Sequence, residues 1–473
     1  MISIPRSTIR RFRAVLRRAG LHKPAPAHPP LVLVDATDTT LVLSSANGRV
    51  GIAWQLPGCG HSARFLLPQE ALLFCEGKSE DPVQFVPGDD RQVQVSWSDR
   101  GLPQSRSFTT EPEAEPLVIA SPEAWEANDP GFLMALHEAM QTTDPKTTRY
   151  GHNSVQLLGA GGAMNATDGG QMLRQTGFRF PWQEDLLVSQ TNLCGCREWP
   201  HHVPVRIGKT EDWVTLETGS WTIHLAIQTG LRFPMVANII PPADGITTRL
   251  QLDPRDVTFL ADTIDRLPDT DPIHHAVTVD LNGHVAVRAG GAEDLLLTEL
   301  VLQHSRWVGT PVRLSMNRQY LARALALGFR EVAISDAERP VLCDDGQRQY
   351  VWGVLEGEAV APSEMAVTIR SPDAPVSHRP STKPRMSVAR ETVANKPADS
   401  PGPVNLIASI PTTANSPLEI DLITQAEQVR DSLRTTLQAV GTLIGAARRQ
   451  RKQSRLTKST LASLKQLQTL RLE

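Results

Sequence analysis

Two cysteines and two histidines that lie close together in the sequence are the first candidates for metal chemistry. They are Cys194, Cys196, His201 and His202. Zinc prefers thiolate and imidazole ligands, and two of each would suit its tetrahedral coordination. Their spacing matches none of the usual zinc-finger patterns, and Pro200 restricts the loop that carries the histidines. We therefore interpret them as ordinary loop residues, with a zinc-dependent enzyme as the alternative.

The other motifs that carry chemistry predict no catalyst. Gly159, Gly161 and Gly162 lie between two predicted strands, which favours a hairpin over a nucleotide-binding loop. The sequence contains neither a zinc-protease H-E-x-x-H motif nor a G-x-S-x-G nucleophile elbow. The paired acids Asp89–Asp90 and Asp344–Asp345 lie beside glycine, as is typical of turns. We expect a non-catalytic protein without a cofactor.

Length and composition predict a cytoplasmic protein of several domains. A chain of 473 residues is too long for one hydrophobic core and suits three ordinary domains. Its formal net charge of -3 gives no global positive field. The five cysteines form no disulfide framework, which favours a reducing compartment. No apolar run approaches the roughly 18 residues that a membrane helix requires.

The first predicted helix, residues 5–20, carries an unusually basic face. Pro5 and Gly20 mark its ends, and Ile9, Phe12, Leu16 and Ala19 form an apolar stripe. The face opposite this stripe carries Arg10, Arg13 and Arg17, with Arg11 and Arg18 beside them, and the segment contains no acid. Three interpretations are open, which are a solvated face on a core helix, a surface that binds phosphates, and a targeting peptide.

The order helix, strands, helix, strands occurs three times along the chain. The predicted helices are residues 5–20, 66–77, 130–142, 184–193, 254–267 and 317–328. The first helices of the three units begin roughly 125 residues apart, and such a period indicates tandem repeats. The sequence therefore predicts the α+β class, with three tandem domains near 1–120, 121–245 and 246–357 and two helices on an antiparallel sheet in each.

Three short motifs resemble the bacterial DNA sliding clamp, the β subunit of DNA polymerase III. They are the turn Ala166-Thr167-Asp168-Gly169, the segment Arg232-Phe233-Pro234 leading to Ile239-Ile240-Pro241, and the strand Tyr350-Val351-Trp352. The resemblance covers about residues 1–356 and implies three domains, each with two helices on a curved sheet. It also implies a head-to-tail homodimer around duplex DNA that serves polymerases or repair proteins.

The resemblance implies that lysines and arginines on the helices contact DNA phosphates and do not read the base sequence. The arginines of the first helix fit this role, as do Arg318, Arg323 and Arg330 around the helix at 317–328. The acids on the helices at 130–142 and 254–267 weaken a positive surface. They are Glu138, Asp256, Asp262 and Asp265.

The resemblance also implies a cleft for client peptides between the second and third domains. The corresponding residues are Thr167, Gly169, Gly170, Gln171, Met172, Pro241, Val351 and Gly353. Gly170-Gln171 replaces the His-Arg pair of the family, and Gly353 replaces a methionine. A buried methionine contributes roughly 1.5–3 kcal/mol, so we expect a shallower groove with weaker binding of client peptides.

The chain continues beyond the part that resembles a clamp. Residues 358–417 are rich in proline and predict a disordered linker. Residues 418–473 predict either one long helix or a helical hairpin of coiled-coil type, with a basic cluster at Arg448, Arg449, Arg451, Lys452 and Arg455. This tail supports an alternative function, a scaffold with the clamp fold that does not encircle DNA and acts through its helical tail.

Overall fold

The computed structural model describes residues 1–23, 30–58, 60–89, 91–110, 116–147, 151–269, 273–290, 297–357 and 359–373. These belong to one compact unit, Met1–Ser381. A second unit, Thr382–Glu473, lies outside the described residues, and with it the predicted helical tail and most of the predicted linker. Within the described part of the chain, no helix is both long and apolar enough to cross a membrane.

The elements follow one another in three similar series. The first series is β1 Ile2–Pro5, α1 Arg6–Ala19, β2 Leu31–Ala36, β3 Thr40–Ala46, β4 Val50–Pro57, β5 Ala63–Pro68, α2 Gln69–Cys75, β6 Pro82–Pro87, β7 Gln92–Asp99 and β8 Leu102–Thr109. The second is β9 Trp125–Asn128, α3 Phe132–Gln141, β10 Ser154–Leu158, β11 Ala163–Thr167, β12 Gln171–Thr176, β13 Asp185–Ser189, β14 Val205–Lys209, β15 Trp213–Thr218 and β16 Trp221–Ala226.

The third series contains two strands that the first two lack. It is β17 Thr248–Gln251, α4 Pro254–Thr263, β18 Ala276–Asn282, β19 His284–Ala289, β20 Thr298–Val301, β21 Arg306–Gly309, β22 Val312–Asn317, α5 Arg318–Ala326, β23 Glu331–Ile334, β24 Val341–Asp344, β25 Arg348–Trp352 and β26 Val367–Arg370. The extra strands are β21, at the edge of a sheet, and β26, which lies inside the predicted linker.

The strands form four sheets. Sheet I has the order β1-β6-β7-β8, and sheet II has the order β5-β2-β3-β4-β16-β15-β14-β9. Sheet III is β13-β10-β11-β12-β25-β24-β23-β17-β21, and sheet IV is β22-β18-β19-β20-β26. All described pairs are antiparallel except β20 with β26. The fold is therefore mixed α+β with extended antiparallel sheets and few helices, as the sequence predicts for its class.

Helix α1 shows how local sequence produces these elements. Gly20 adopts a left-handed conformation with φ of 74°, and the amide of Leu21 donates to the carbonyl of Leu16, which ends the helix. Phe12 is fully buried against Trp54 and Trp221, whose rings stack at 4.3 Å between centroids. This aromatic cluster fixes α1 where β4 pairs with β16.

The prediction of a helix at 184–193 is wrong. Residues 185–189 form strand β13, which pairs with β10, and only a 3₁₀ turn, Leu193–Gly195, follows. Leu186, Leu187 and Val188 are all buried, and a short apolar run of this kind does not distinguish a strand from a helix. The second series therefore has one α-helix, α3, among its described residues.

Candidate nucleic-acid interface and partner cleft

The exposed surface of α1 carries four arginines. Arg10, Arg11, Arg17 and Arg18 are exposed, and within the described residues Arg10, Arg17 and Arg18 form no ion pair. Arg11 lies over the Trp54 ring, 5.1 Å from its centroid, which holds its guanidinium near the surface of the aromatic cluster. Packing of the buried side chains thus orients α1 so that these arginines lie on one exposed surface.

Arg13 is not part of this exposed surface, although the sequence places it on the same basic face of the helix. Its guanidinium forms an ion pair with Glu76 just after α2, and both side chains are largely buried. Arg6 is also buried and donates to the carbonyls of Cys75 and Ser98, at 3.1 and 2.7 Å. These two arginines join α1 to the rest of its own unit and are not available to a phosphate.

A groove beside α1 adds a fifth exposed arginine. Arg17 and Arg18 line this groove together with Ala14, Arg197 and Glu198. Arg197 is exposed and follows the 3₁₀ turn at 193–195. Sequence reasoning missed Arg197, because only folding places this loop beside α1. The groove therefore concentrates three guanidinium groups with a single carboxylate.

His137 of α3 lies near the charges of two arginines from other helices. Burial lowers the pKa of His137 on α3, and the charges of Arg323 and Arg18 lower it further. His137 also lies so close to Gly195 that a Cβ there would be 2.5 Å from its ring. We refer to the exposed side chains of Arg10, Arg11, Arg17, Arg18 and Arg197 as the basic surface.

The three arginines that lie on α5 and just after it, Arg318, Arg323 and Arg330, have different surroundings. Arg318 is buried and donates to the carbonyls of Leu267 and Pro268, both at 2.6 Å, so it stabilises the loop after α4. Arg323 donates to Gln141 and to the carbonyl of Glu138, which joins α5 to α3. Arg330 is exposed. Only Arg330 of the three is presented to solvent.

Two of the four acids that we expected to weaken a positive surface interact with other groups of the protein. Asp256 is fully buried and accepts hydrogen bonds from the amides of His304 and Ser305. Glu138 pairs with Arg348. Asp262 on α4 and Asp265 in the 3₁₀ turn that follows it are exposed, so negative charge remains at this end of the helix.

The second candidate site begins at the turn between β11 and β12. Asp168 accepts hydrogen bonds from the amides of Gly170 and Gln171, at 2.8 and 2.9 Å, and Gly169 has φ of +97°. The Thr167 hydroxyl donates to the carbonyl of Gln171. Asp168 thus has a structural role, as expected for an aspartate at the first position of a turn.

Strand pairing brings the predicted cleft residues together. Met172 lies opposite Val351 where β12 pairs with β25, and the amide of Gly353 donates to the carbonyl of Gly170 at 3.0 Å. Met172 and Val351 are buried in an apolar cluster with Leu187, Phe233, Val236, Ala333 and Leu342. Pro241 is buried and follows Ile240, which packs against this cluster.

Two exposed apolar side chains lie in the segment that packs on this cluster. Met235 is 71% exposed and Ile239 is 44% exposed. Sequence reasoning missed both, because their neighbours Phe233 and Val236 point inward and only the fold shows which side chains remain outside. The site therefore has a buried apolar floor and a partly exposed apolar rim.

Tyr320 of α5 closes one side of the turn. A Cβ at Gly170 would lie 2.3 Å from the Tyr320 hydroxyl, so a glycine is required for this close approach. Burial, with the nearby charge of Asp168, raises the pKa of Tyr320 to about 12. Tyr350 donates its hydroxyl proton to Gln171. Gln171 is therefore oriented by the fold.

The cysteine and histidine loop is split between interior and surface. Cys194 and Cys196 are buried, whereas His201 and His202 are exposed. Burial raises the pKa of both thiols to about 12, which disfavours the thiolate form that binds zinc. Among the described residues, no group of three or more His, Cys, Asp or Glu side chains is placed to hold a metal.

Solved structures with the same fold include several bacterial DNA polymerase III β subunits. The β subunit of Pseudomonas aeruginosa is 17% identical with a TM-score of 0.63, and the match covers 75% of this chain and 99% of that one. The β subunit of Streptococcus pyogenes is 13% identical with a TM-score of 0.63, covering 75% and 100%. A putative β subunit from Eubacterium rectale is 11% identical with a TM-score of 0.60, covering 75% and 99%.

These matches establish that the chain has the sliding-clamp fold, and at this identity they establish the fold alone. No protein-family model matches the sequence, and no curated protein matches it either.

Proposed function

We propose that the protein is a sliding-clamp-like, non-catalytic platform that docks on or encircles duplex DNA. The observation that carries this proposal is the basic surface, a group of exposed arginines that includes three without an ion pair in the described chain. Guanidinium groups on a rigid helix suit contacts with phosphate oxygens, which carry no sequence information. Binding would therefore be independent of base sequence and sensitive to salt.

The repeated strand order supports three tandem clamp-type domains, near 1–120, 121–245 and 246–357, for this platform. Two such chains would pair as a homodimer to complete a ring. Replication or repair proteins are the partners that this platform would serve. The four described cysteines are free thiols, which supports a reducing, cytoplasmic location.

The partner cleft would receive an extended apolar peptide from such a client. Met172 and Val351 would form its floor, and Met235 and Ile239 its rim. Gly353 provides no side chain as a wall, so we expect weak binding of clamp-type peptides. We also expect binding to improve when the chain is cut after about residue 357. Fluorescence anisotropy of a labelled peptide tests both expectations, and tight binding by the whole chain would contradict them.

A scaffold with the clamp fold that does not encircle DNA is the second candidate. The distribution of charge favours it, because Arg318 and Arg323 donate hydrogen bonds within the protein, while Asp262 on α4 and Asp265 just after it are exposed. A surface for DNA would then be limited to α1 and its neighbouring loop. This protein would act through its predicted helical tail.

Fluorescence anisotropy with two labelled duplexes of equal length and unrelated sequence tests the main proposal. The full-length chain is titrated into each duplex over a series of salt concentrations. We expect the same affinity for both duplexes and a steep loss of affinity with salt. Absence of saturable binding at low salt would reject the DNA-binding function and favour the scaffold.

A further inference from the structure

The repeated strand order shows where a further contact between sheets would form. One half-sheet recurs as β5-β2-β3-β4, β13-β10-β11-β12 and β22-β18-β19-β20, and the other as β8-β7-β6-β1, β16-β15-β14-β9 and β25-β24-β23-β17. In sheet II, β4 pairs with β16, and in sheet III, β12 pairs with β25, both antiparallel. The strands left without this partner are β20 and β8. The same contact would join β20 of one copy to β8 of another.

Among the described residues, no strand pairs with the outer edge of β8. This strand pairs on one side with β7 along its whole length, and nearly all of its side chains are exposed. Pro103, which has no amide proton, lies opposite Ser98. Since Pro103 has no amide proton to donate to β7, its nitrogen faces away from that strand. Alternate residues of a strand point the same way, so the amides of Ser105 and Ser107 face away from β7 as well. These two amides are donors for another strand.

Strand β20 has no free edge, because β26 occupies it. Four residue pairs join the two strands, from Thr298 with Val367 to Val301 with Arg370. The amide of Val367 donates to the carbonyl of Leu297 at 2.8 Å, and the amide of Ser371 donates to Val301 at 3.0 Å. With β19 on its other side, β20 can accept no further strand.

The segment that contains β26, residues 359–373, is held mainly by polar contacts. We call it the strap. Ser371 is its one fully buried side chain among the described residues, and its hydroxyl accepts from the amide of Gln303 at 2.9 Å. The apolar side chains of β26 itself, Val367 and Ile369, are 45% and 43% exposed. Among its described residues, the strap therefore has no fully buried apolar side chain that would hold β26 firmly at the edge of the sheet.

We propose that the strap is a displaceable strand of the chain itself that competes with β8 of a second copy for the edge of β20. With the strap docked the chain is a monomer, and with the strap released two copies pair head to tail through β20 and β8. The inference rests on the homodimer of the proposed function and adds the element that controls its formation. Pairing of β20 with β26 also blocks the edge against unrelated strands.

Two proline variants of the full-length chain test the competition. The amides of Val367 and Ser371 face β20, so by alternation the amide of Ile369 faces it too, while that of Thr368 faces away. Ile369→Pro should release the strap, and Thr368→Pro is the matched control. Mass is measured by size-exclusion chromatography with light scattering at several protein concentrations. Circular dichroism and thermal unfolding confirm that each variant is folded.

We expect the unmodified chain and the Thr368→Pro variant to have the monomer mass, and the Ile369→Pro variant to reach twice that mass as concentration rises. Adding Ser105→Pro to Ile369→Pro should restore the monomer, since it removes a free amide of β8. A folded Ile369→Pro variant that stays monomeric would overturn the inference. A dimer of the unmodified chain that Ile369→Pro dissociates would also overturn it, because β26 would then be the interface. DNA is absent, so neither result bears on DNA binding.

Discussion

Removing the unpaired arginines of the basic surface should make DNA binding less sensitive to salt. The perturbation is the triple variant Arg10→Ala, Arg17→Ala and Arg18→Ala. Each phosphate contact contributes about 0.9 to the slope of log affinity against log salt, so three contacts contribute about 2.7. Between about 50 and 200 mM salt, the unmodified protein should therefore lose about 40-fold more affinity than the variant. Fluorescence anisotropy of a labelled duplex at several salt concentrations measures both slopes.

A charge-matched variant separates local contacts from the field of the whole protein. Arg64, Arg206 and Arg339 have side chains that are 60%, 53% and 65% exposed, and none belongs to the basic surface. Replacing these three with alanine changes the net charge equally. We expect the control to keep the slope of the unmodified protein. Equal slopes in the two triple variants, or an unchanged slope in the first, would refute the assignment of phosphate contacts to α1.

Three further predictions concern stability and can be measured by urea denaturation. Gly170→Ala should destabilise the fold by about 1–3 kcal/mol, because its Cβ would lie 2.3 Å from the Tyr320 hydroxyl, and Tyr320→Phe should recover part of the loss. Arg288→Met should cost about 3–5 kcal/mol, because it leaves the buried carboxylate of Asp280 without its main partner. His224, whose pKa burial lowers to about 4, should be neutral in the fold and protonated in the unfolded chain between pH 6.5 and 4. Stability should therefore fall by up to about 3 kcal/mol over this range as pH decreases, and His224→Gln should remove that part of the dependence.

Each of these predictions has a control that can contradict it. Equal destabilisation by Gly170→Ala with and without Tyr320→Phe would show that the close approach is not the cause. Arg313, which also pairs with Asp280 but is 30% exposed, should cost less than Arg288 when replaced with methionine. An equal cost would argue against burial as the reason. His202 is exposed, and His202→Gln should leave the dependence on pH unchanged.

Local sequence signals predicted the parts of the fold that are set by neighbouring residues. The ends of α1 follow from Pro5 and Gly20, because proline suits a helix start and glycine readily adopts the left-handed conformation that ends it. Asn47-Gly48, a residue pair typical of two-residue hairpin turns, lies between β3 and β4, and the Asn47 side chain accepts hydrogen bonds from the amides of Arg49 and Val50.

Contacts between distant segments determine the features of the fold that local sequence signals do not predict. The apolar run at 186–188 became a strand because β10 offers a partner edge. Arg318 and Arg10 look alike in the sequence, yet carbonyls some fifty residues away surround only Arg318. Strand β26 lies in a proline-rich stretch without a strand pattern, and its structure depends on the edge of β20. Exposed arginines and buried arginines were therefore distinguishable only in the folded chain.

Arginine-selective labelling with and without duplex DNA tests the central claim most directly. The full-length protein is treated with phenylglyoxal, and the modified residues are measured by mass spectrometry. Bound DNA should protect the basic surface, which consists of Arg10, Arg11, Arg17, Arg18 and Arg197. Labelling of Arg64, Arg206 and Arg339 should be unchanged. Protection confined to these three control residues, or no protection of α1 at saturating DNA, would contradict the proposal that the protein docks on DNA through this surface.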